Sequence, residues 1–315
     1  MAIPHGKLVK VKGKNMHVRQ MGSSGKTIVL LPGLNDPLPS VEFAPLMREL
    51  SKKYTVCIVE FFGYGHSDST DTPRTNENYV SEMREALILT GLNPPYVLMP
   101  YSASGIYAEY YAAKYPQEIE GLILLDSTPT VESFAKEFAY TDEDIQEMNA
   151  APEDTEEPEY DQNAVDEAIE YYMRHGYTLE ELGEIDEIEN HVDTITAQEL
   201  ALSDNIFEVL TLPIPKNIPI LAFNSDINEL LKELELNDES LSENEKQLEA
   251  AKYKESFKGH MDRLGEHAKF VVIEKSNHAD IAYNRDYRKI ISSKIDTFFG
   301  QCFGGENTGG TCGND

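Results

Sequence analysis

The feature that most constrains this sequence is an alternation of short apolar runs with segments of helical periodicity through its first 128 residues. Strands that alternate with helices in this way pair in parallel through right-handed crossovers. The pattern therefore predicts an α/β fold with a mostly parallel central sheet flanked by helices. The apolar runs are residues 27–31, 55–61, 96–99 and 121–125, and the helical segments are residues 41–53, 76–91 and 105–115.

The alternation stops at about residue 129 and resumes after residue 216. Residues 129–216 are acidic, have helical spacing and show no convincing strand, and prolines mark both ends. Apolar runs return at residues 218–223 and 269–273. We therefore predict a core of residues 1–128 and 217–300, an inserted acidic helical cap or lid at 129–216, and a flexible Gly-rich tail at 301–315.

The charge of the chain limits its partners. The formal net charge is −29, and residues 130–216 hold 25 acidic residues against only Lys136, Arg174 and Lys216. Such a field opposes binding to nucleic acid and to anionic membranes. We therefore expect a neutral or cationic small-molecule substrate.

The sequence contains no long apolar run and only three cysteines. No run approaches the roughly 18 apolar residues that a membrane-spanning helix requires. Cys57 lies in an apolar run, whereas Cys302 and Cys312 lie in the Gly-rich tail and could pair in an oxidising compartment. Three cysteines without metal-ligand spacing predict no metal site.

Chemically reactive residues collect at the ends of the predicted parallel strands, where active sites of open sheets form. A serine nucleophile requires a nearby imidazole base, which in turn requires a group that orients it. The positions at these strand ends are 33–35, 63–67, Ser102, Asp126, Asp226 and His278. The order, with the serine early and the histidine last, predicts a serine-based site.

These motifs resemble those of the α/β-hydrolase family over residues 5–128 and 217–300. The sequence Tyr101-Ser102-Ala103-Ser104-Gly105 lies where that family places its nucleophile elbow, although Pro100 and Ser104 replace the usual flanking glycines. The turns at 30–33 and 62–67 also match. The resemblance implies Ser102 as nucleophile, His278 as general base, and the amides of Leu34 and Ala103 as the oxyanion hole.

The acid that would orient His278 has several candidates. The position usual in the family, after the predicted strand 218–224, aligns with Asn228, and Asp226 and Glu229 lie beside it. Asp126, at the end of the strand after the nucleophile, matches the position used in zearalenone-lactonase-like hydrolases, which the elbow sequence also resembles. We therefore favour Asp126 and keep the other three as alternatives.

A serine nucleophile implies an acyl-enzyme and needs no cofactor. We expect a carboxylic-ester hydrolase acting on esters or lactones; the alternatives are an amidase or peptidase with the same triad, and a non-catalytic ligand-binding protein on this fold. We expect Asn35, Tyr101, Phe134 and Phe138 to line the substrate pocket.

The chain starts without an apolar leader. If residue 1 is the natural start, we expect a cytoplasmic enzyme. Similar bacterial hydrolases carry a membrane anchor just before a stretch like residues 6–18, so a missing leader would instead place the enzyme outside the membrane. The sequence predicts no particular oligomeric state.

Overall fold

The computed structural model describes residues 5–141, 143–145, 162–188, 191–229, 232 and 242–303. Its centre is an eight-stranded sheet in the order β1-β2-β4-β3-β5-β6-β7-β8. The strands are β1 (Lys7–Val11), β2 (Lys14–Met21), β3 (Thr27–Leu31), β4 (Thr55–Glu60), β5 (Tyr96–Pro100), β6 (Ile119–Leu125), β7 (Ile220–Ser225) and β8 (Ala268–Ile273). Only the pairings of β2 with β1 and with β4 are antiparallel. The predicted mostly parallel sheet is confirmed.

The central strands read as continuous apolar runs because both faces of the sheet are covered. Every residue of β4 and β5 is buried, as expected for parallel strands between two helical layers. The edge strand β8 instead alternates between buried and more exposed residues. Burial thus follows each strand's place in the sheet.

Helices of the core cover both faces. They are α1 (Pro39–Glu42), α2 (Ala44–Leu50), α3 (Asn76–Leu89), α4 (Ser104–Lys114), α10 (Glu243–Leu264), α11 (Asp280–Tyr283) and α12 (Arg285–Phe303). One apolar cluster joins α3 and α4 to the sheet, and a second joins α2, α11 and α12 to its other side.

Between β6 and β7 the described residues form helices and no strand. These helices are α5 (Glu132–Glu137), α6 (Gln162–Arg174), α7 (Leu179–Asp186), α8 (Val192–Leu200) and α9 (Leu202–Leu210). Polar bridges fix them to the core: Arg48 pairs with Glu181 at 2.5 Å, and the amide of Asn76 donates to Asn205 at 2.9 Å.

Two core helices have ends with a clear local cause. The charged helix α10 begins after Ser242, whose side chain forms a capping box with Glu245. The last helix, α12, continues to Phe303, into the predicted flexible tail, because the Phe303 ring packs against Phe298 and Phe299.

The cysteines are partly described. Cys57 is buried and free. Cys302 is disulfide-bonded; Cys312, its expected partner, and the rest of the tail from residue 304 lie outside the described residues. No helix in the described part of the chain combines the length and the apolar character needed to cross a membrane.

Candidate active site

Ser102 lies in a sharp turn between β5 and α4. Its backbone φ is +51°, a left-handed conformation that costs energy for a residue with a side chain. Close packing around the turn explains the nearby glycine: a Cβ on Gly105 would lie 2.6 Å from the Cβ of Ser127. The turn raises the serine side chain at the carboxyl end of the sheet, where it stays partly exposed.

His278 follows β8 and reaches this serine. Its Nε2 lies 3.1 Å from Oγ of Ser102. The ring stacks on Tyr101 with centroids 4.9 Å apart, and the Tyr101 hydroxyl donates to the His278 carbonyl at 2.9 Å. Tyr101 therefore supports the imidazole from below and is itself only 5% exposed.

Asp126 contacts the other ring nitrogen. Its Oδ2 lies 2.7 Å from Nδ1 of His278, and its Oδ1 accepts from the amide of Ser225 at 2.7 Å. Because a carboxylate only accepts, Nδ1 carries the proton of this contact and the neutral ring leaves Nε2 as an acceptor toward Ser102. The Asp126 side chain is buried and its backbone has a φ of +44°.

The alternative acids lie elsewhere. Asp226 accepts from the amide of Asn228 at 3.0 Å in its own loop and from the amide of Lys275 at 3.2 Å in the loop that leads to His278, so its carboxylate is occupied by backbone amides. Asn228 is exposed and donates its side-chain amide to Asp226. Glu229 pairs with Lys232 at 2.7 Å. The structure brings none of these three side chains onto His278 and gives that position to Asp126.

The loop after β3 approaches the serine closely. A Cβ on Gly33 would lie 3.1 Å from the Cβ of Ser102, a tighter contact than most side chains make, so glycine favours this close approach. In the described part of the chain, the amides of Leu34 and Ala103 donate to no protein acceptor. They are therefore available to an oxygen atom at Ser102. The amide of Asn35, in contrast, donates to the Tyr64 hydroxyl at 3.2 Å.

Asp36 holds this loop from inside. Its Oδ2 accepts from the amide of Gly33 at 2.6 Å. Burial raises the pKa of Asp36 to about 6, although the hydrogen bond from the Gly33 amide acts in the opposite direction. An ionisable group thus lies directly under the loop that faces Ser102.

An aromatic pocket of about 240 Å³ opens at Ser102 and His278. Phe134 and Phe138 line it as expected. Asn35 and Tyr101 are not among its lining residues: Asn35 is exposed and its amide donates to Tyr64, whereas Tyr101 is buried and stacks on the His278 ring. The remaining lining residues are Asp126, Ser127, Thr128, Pro129, Tyr253 and Phe257.

Sequence reasoning missed Tyr253 and Phe257. Both lie on α10, a highly charged helix that begins 141 residues after Ser102. Their spacing of four residues places both rings on one helix face. This spacing could have been noticed in the sequence, but it does not indicate which cavity the two rings would line.

A second, larger cavity of about 490 Å³ lies between the inserted helices and the core. Its lining is mainly apolar and includes Ile169, Tyr172, Leu182 and Tyr283, with the carboxyl of Glu42 at its wall. Burial raises the pKa of Glu42 well above its usual value, and the nearby Asp36 and Glu60 add to the effect. This cavity does not include Ser102 or His278.

Comparison with known proteins identifies the family. The sequence profile of the alpha/beta hydrolase fold family matches residues 26–183, just over half of the chain. The chain belongs to the α/β-hydrolase fold family.

Individual relatives match over a shorter region. The chain is 40% identical over 121 residues to the uncharacterized protein YbdG of Bacillus subtilis (38% of this chain, 37% of that protein). It is 33% identical over 105 residues to a pimeloyl-[acyl-carrier protein] methyl ester esterase of Xylella fastidiosa (33% and 38%) and 31% identical over 119 residues to the human serine hydrolase BPHL (37% and 40%). The matches span less than half the length of these relatives.

Solved structures resemble the whole chain. Cfl2 from Burkholderia cenocepacia superposes with a TM-score of 0.63 at 16% identity, covering 93% of this chain and 95% of that one. The epoxide hydrolase VrEH1 from Vigna radiata gives a TM-score of 0.60 at 13% identity, covering 93% and 97%. At these identities the resemblance shows the shared fold.

Proposed function

We propose that this protein is a serine hydrolase that cleaves carboxylic esters or lactones through an acyl-enzyme. The observation that carries the proposal is the continuous hydrogen-bonded chain from Asp126 to His278 (2.7 Å) and from His278 to Ser102 (3.1 Å). Family membership and the esterase- and hydrolase-named relatives support a hydrolytic activity.

In the proposed mechanism, Nε2 of His278 takes the proton from Ser102 as its Oγ attacks the substrate carbonyl carbon. The imidazolium then returns the proton to the leaving alkoxide as the carbon–oxygen bond breaks. A water molecule, deprotonated by the same nitrogen, hydrolyses the acyl-enzyme and restores Ser102. The Asp126 carboxylate fixes the ring and stabilises its charged form.

The tetrahedral intermediates carry a negative oxygen that needs donors. We assign this role to the amides of Leu34 and Ala103, which have no protein acceptor in the described part of the chain. Preorganised backbone donors of this kind lower the barrier by several kcal/mol. Asp36 helps by holding the 33–36 loop through the amide of Gly33.

The pocket at Ser102 supports a small acyl group. Its volume of about 240 Å³ lies below the range of about 300–1,000 Å³ typical of drug-sized ligands, and its walls are largely aromatic. A short acyl chain or a single ring matches this space. The net charge of −29 favours neutral substrates over anionic ones.

Turnover of p-nitrophenyl acetate and butyrate at about pH 8, above the ordinary pKa of histidine, tests the proposal. Ser102→Ala and His278→Ala should abolish hydrolysis. Ser293→Ala and His191→Ala, which change an exposed serine and an exposed histidine, should leave it unchanged. A parent protein that turns over neither ester would favour a non-catalytic binding protein, and preference for a matched anilide would favour an amidase or peptidase.

A further inference from the structure

A buried carboxylate on α4 connects both walls of the pocket at Ser102. Glu109 is 1% exposed and lies one and a half turns beyond the start of that helix. Its Oε1 accepts from Thr130 at 2.8 Å and lies 2.8 Å from Nε2 of His260. Its Oε2 accepts from Nε of Arg263 at 3.2 Å.

These partners keep the group charged inside the protein. Burial alone would raise the pKa of Glu109, but the interactions with His260, the charge of Arg263 and the hydrogen bond from Thr130 hold that pKa below the usual value. The carboxylate is therefore ionised at neutral pH. A buried charge of this kind is costly to keep unless its partners stay in place.

The first wall is the segment after β6. Thr130 is completely buried and directly follows Pro129, which lines the pocket together with Ser127 and Thr128. The amide of Thr128 also donates to the carbonyl of Ser102 at 3.0 Å. The bond from Thr130 to Glu109 thus fixes the far end of a short segment whose near end is tied to Ser102.

The second wall is α10. Tyr253 and Phe257 line the pocket, and His260 follows Phe257 by three residues, so the three side chains lie along one side of the helix. One turn earlier, the hydroxyl of Ser256 lies 3.0 Å from that of Ser133. The Glu109 carboxylate therefore holds the helix just beyond its two pocket rings.

Arg263 extends the connection to the inserted helices. Its Nη2 donates to the carbonyl of Val209 at 2.8 Å and to that of Leu212 at 3.3 Å, at the end of α9. The same guanidinium contacts Glu109. The β6 segment and α10 thus converge on the Glu109 side chain, and Arg263 ties the end of α9 to the same network.

We infer that Glu109 is a positioning residue that fixes the distance between the β6 segment and α10 and thereby sets the size of the acyl group accepted at Ser102. The inference rests on the proposed function. Glu109 contacts neither Ser102 nor His278 in the described structure, so it acts on the shape of the pocket and not on the reacting atoms.

The substitution Glu109→Gln tests the inference because it keeps the side-chain size and removes the charge. With a weaker acceptor for His260 and Arg263, α10 should move outward and admit longer chains. We expect the ratio of kcat/KM for p-nitrophenyl hexanoate to that for the acetate to rise about tenfold, the discrimination that a pocket exerts against an extra methylene. The kcat for acetate should change less than about threefold.

Glu82→Gln is the matched control. Glu82 is another buried glutamate (1% exposed side chain) that pairs with Arg74, but it lies on α3, away from the pocket. It should lower stability without changing the hexanoate-to-acetate ratio. Glu109→Asp retains the charge, and its ratio should fall between those of the parent and Glu109→Gln.

The outcomes distinguish the inferred role of Glu109 from the proposed hydrolase function. An active parent whose ratio is unchanged in Glu109→Gln, or changed equally in Glu82→Gln, would overturn the role of Glu109 and leave the proposed function standing. A parent that hydrolyses no ester would overturn both. If Glu109→Gln does not fold, Thr130→Val removes only one of its donors, and it should shift the ratio in the same direction by a smaller factor; an unchanged ratio there also rejects the inference.

Discussion

Asp126 Oδ2 lies 2.7 Å from Nδ1 of His278, although the two residues are 152 positions apart and follow strands that are separated by β7. The contact is possible because the Asp126 backbone turns into a left-handed conformation (φ +44°) and its other oxygen is held by the amide of Ser225. The carboxylate is thereby aimed across the end of β7 toward the histidine.

Replacing the Asp126 carboxylate tests its role in orienting the His278 imidazole separately from any role in folding. We expect Asp126→Asn to lower kcat for p-nitrophenyl butyrate on the order of 10⁴-fold, because an amide can hold the wrong imidazole tautomer. Asp226→Asn is the control, since Asp226 accepts from the backbone amides of Asn228 and Lys275 and not from the imidazole; an amide oxygen can still accept, so this variant should retain most of the activity. Equal losses in the two variants, with both proteins folded, would reject the assignment.

Removing an aromatic ring from the pocket should let it accept longer acyl chains. We expect Phe138→Ala to raise the hexanoate-to-acetate ratio of kcat/KM about tenfold, since it adds space for the longer chain. Phe207→Ala removes an equivalent ring from α9 that is 38% exposed, and it should not change the ratio. Selectivity that is the same in parent and Phe138→Ala would place the acyl group elsewhere.

Asp36 should make stability depend on pH. Its pKa is raised from 3.8 to about 6, so the folded protein binds more protons than the unfolded chain between these values. The free energy of unfolding should therefore fall as pH rises through this window. In Asp36→Asn this loss is absent, and the variant should gain on the order of 2 kcal/mol over the parent between about pH 4 and pH 7.

Chemical denaturation of parent and Asp36→Asn across this pH range measures the difference directly. Asp71→Asn, which changes an exposed aspartate, serves as the control and should run parallel to the parent. A difference between Asp36→Asn and the parent that stays constant with pH would contradict the account of the buried carboxyl.

The turn at Ser102 should not tolerate a methyl group at Gly105. In Gly105→Ala the new Cβ would lie 2.6 Å from the Cβ of Ser127, so we expect a loss of about 1–3 kcal/mol in the free energy of unfolding. Activity should also fall, because Ser127 is adjacent to Asp126. Gly300→Ala, which meets no atom within 4 Å in α12, should instead stabilise the protein by up to about 1 kcal/mol. Similar stabilities for the two variants would contradict this packing.

The sheet could be predicted because its central strands are buried on both faces and therefore contain uninterrupted apolar runs, such as residues 56–59 of β4. The rule that active sites form at strand ends also identified Ser102 and His278 as candidate site residues. The resemblance favoured Asp126 among the acids, but strand-end placement alone did not decide, because the contact with His278 depends on the φ of Asp126 and on the amide of Ser225. Neither feature leaves a pattern in the sequence.

The pocket walls were harder to predict for a related reason. Phe134 comes shortly after the first core segment in the sequence and was expected at the site. Phe257, in contrast, lies on α10, which follows the insertion in the sequence. Its place at the pocket follows from the packing of α10 on the core, where His260 and Arg263 contact Glu109. Long-range packing of this kind is a property of the folded chain, not of local periodicity.

Labelling with a fluorophosphonate, followed by intact mass and peptide mapping, tests the central claim most directly. We expect a single adduct on the peptide that contains Ser102 in the parent protein, none in Ser102→Ala, and much slower labelling in His278→Ala. An adduct on another residue, or ester hydrolysis that persists in Ser102→Ala, would contradict the account.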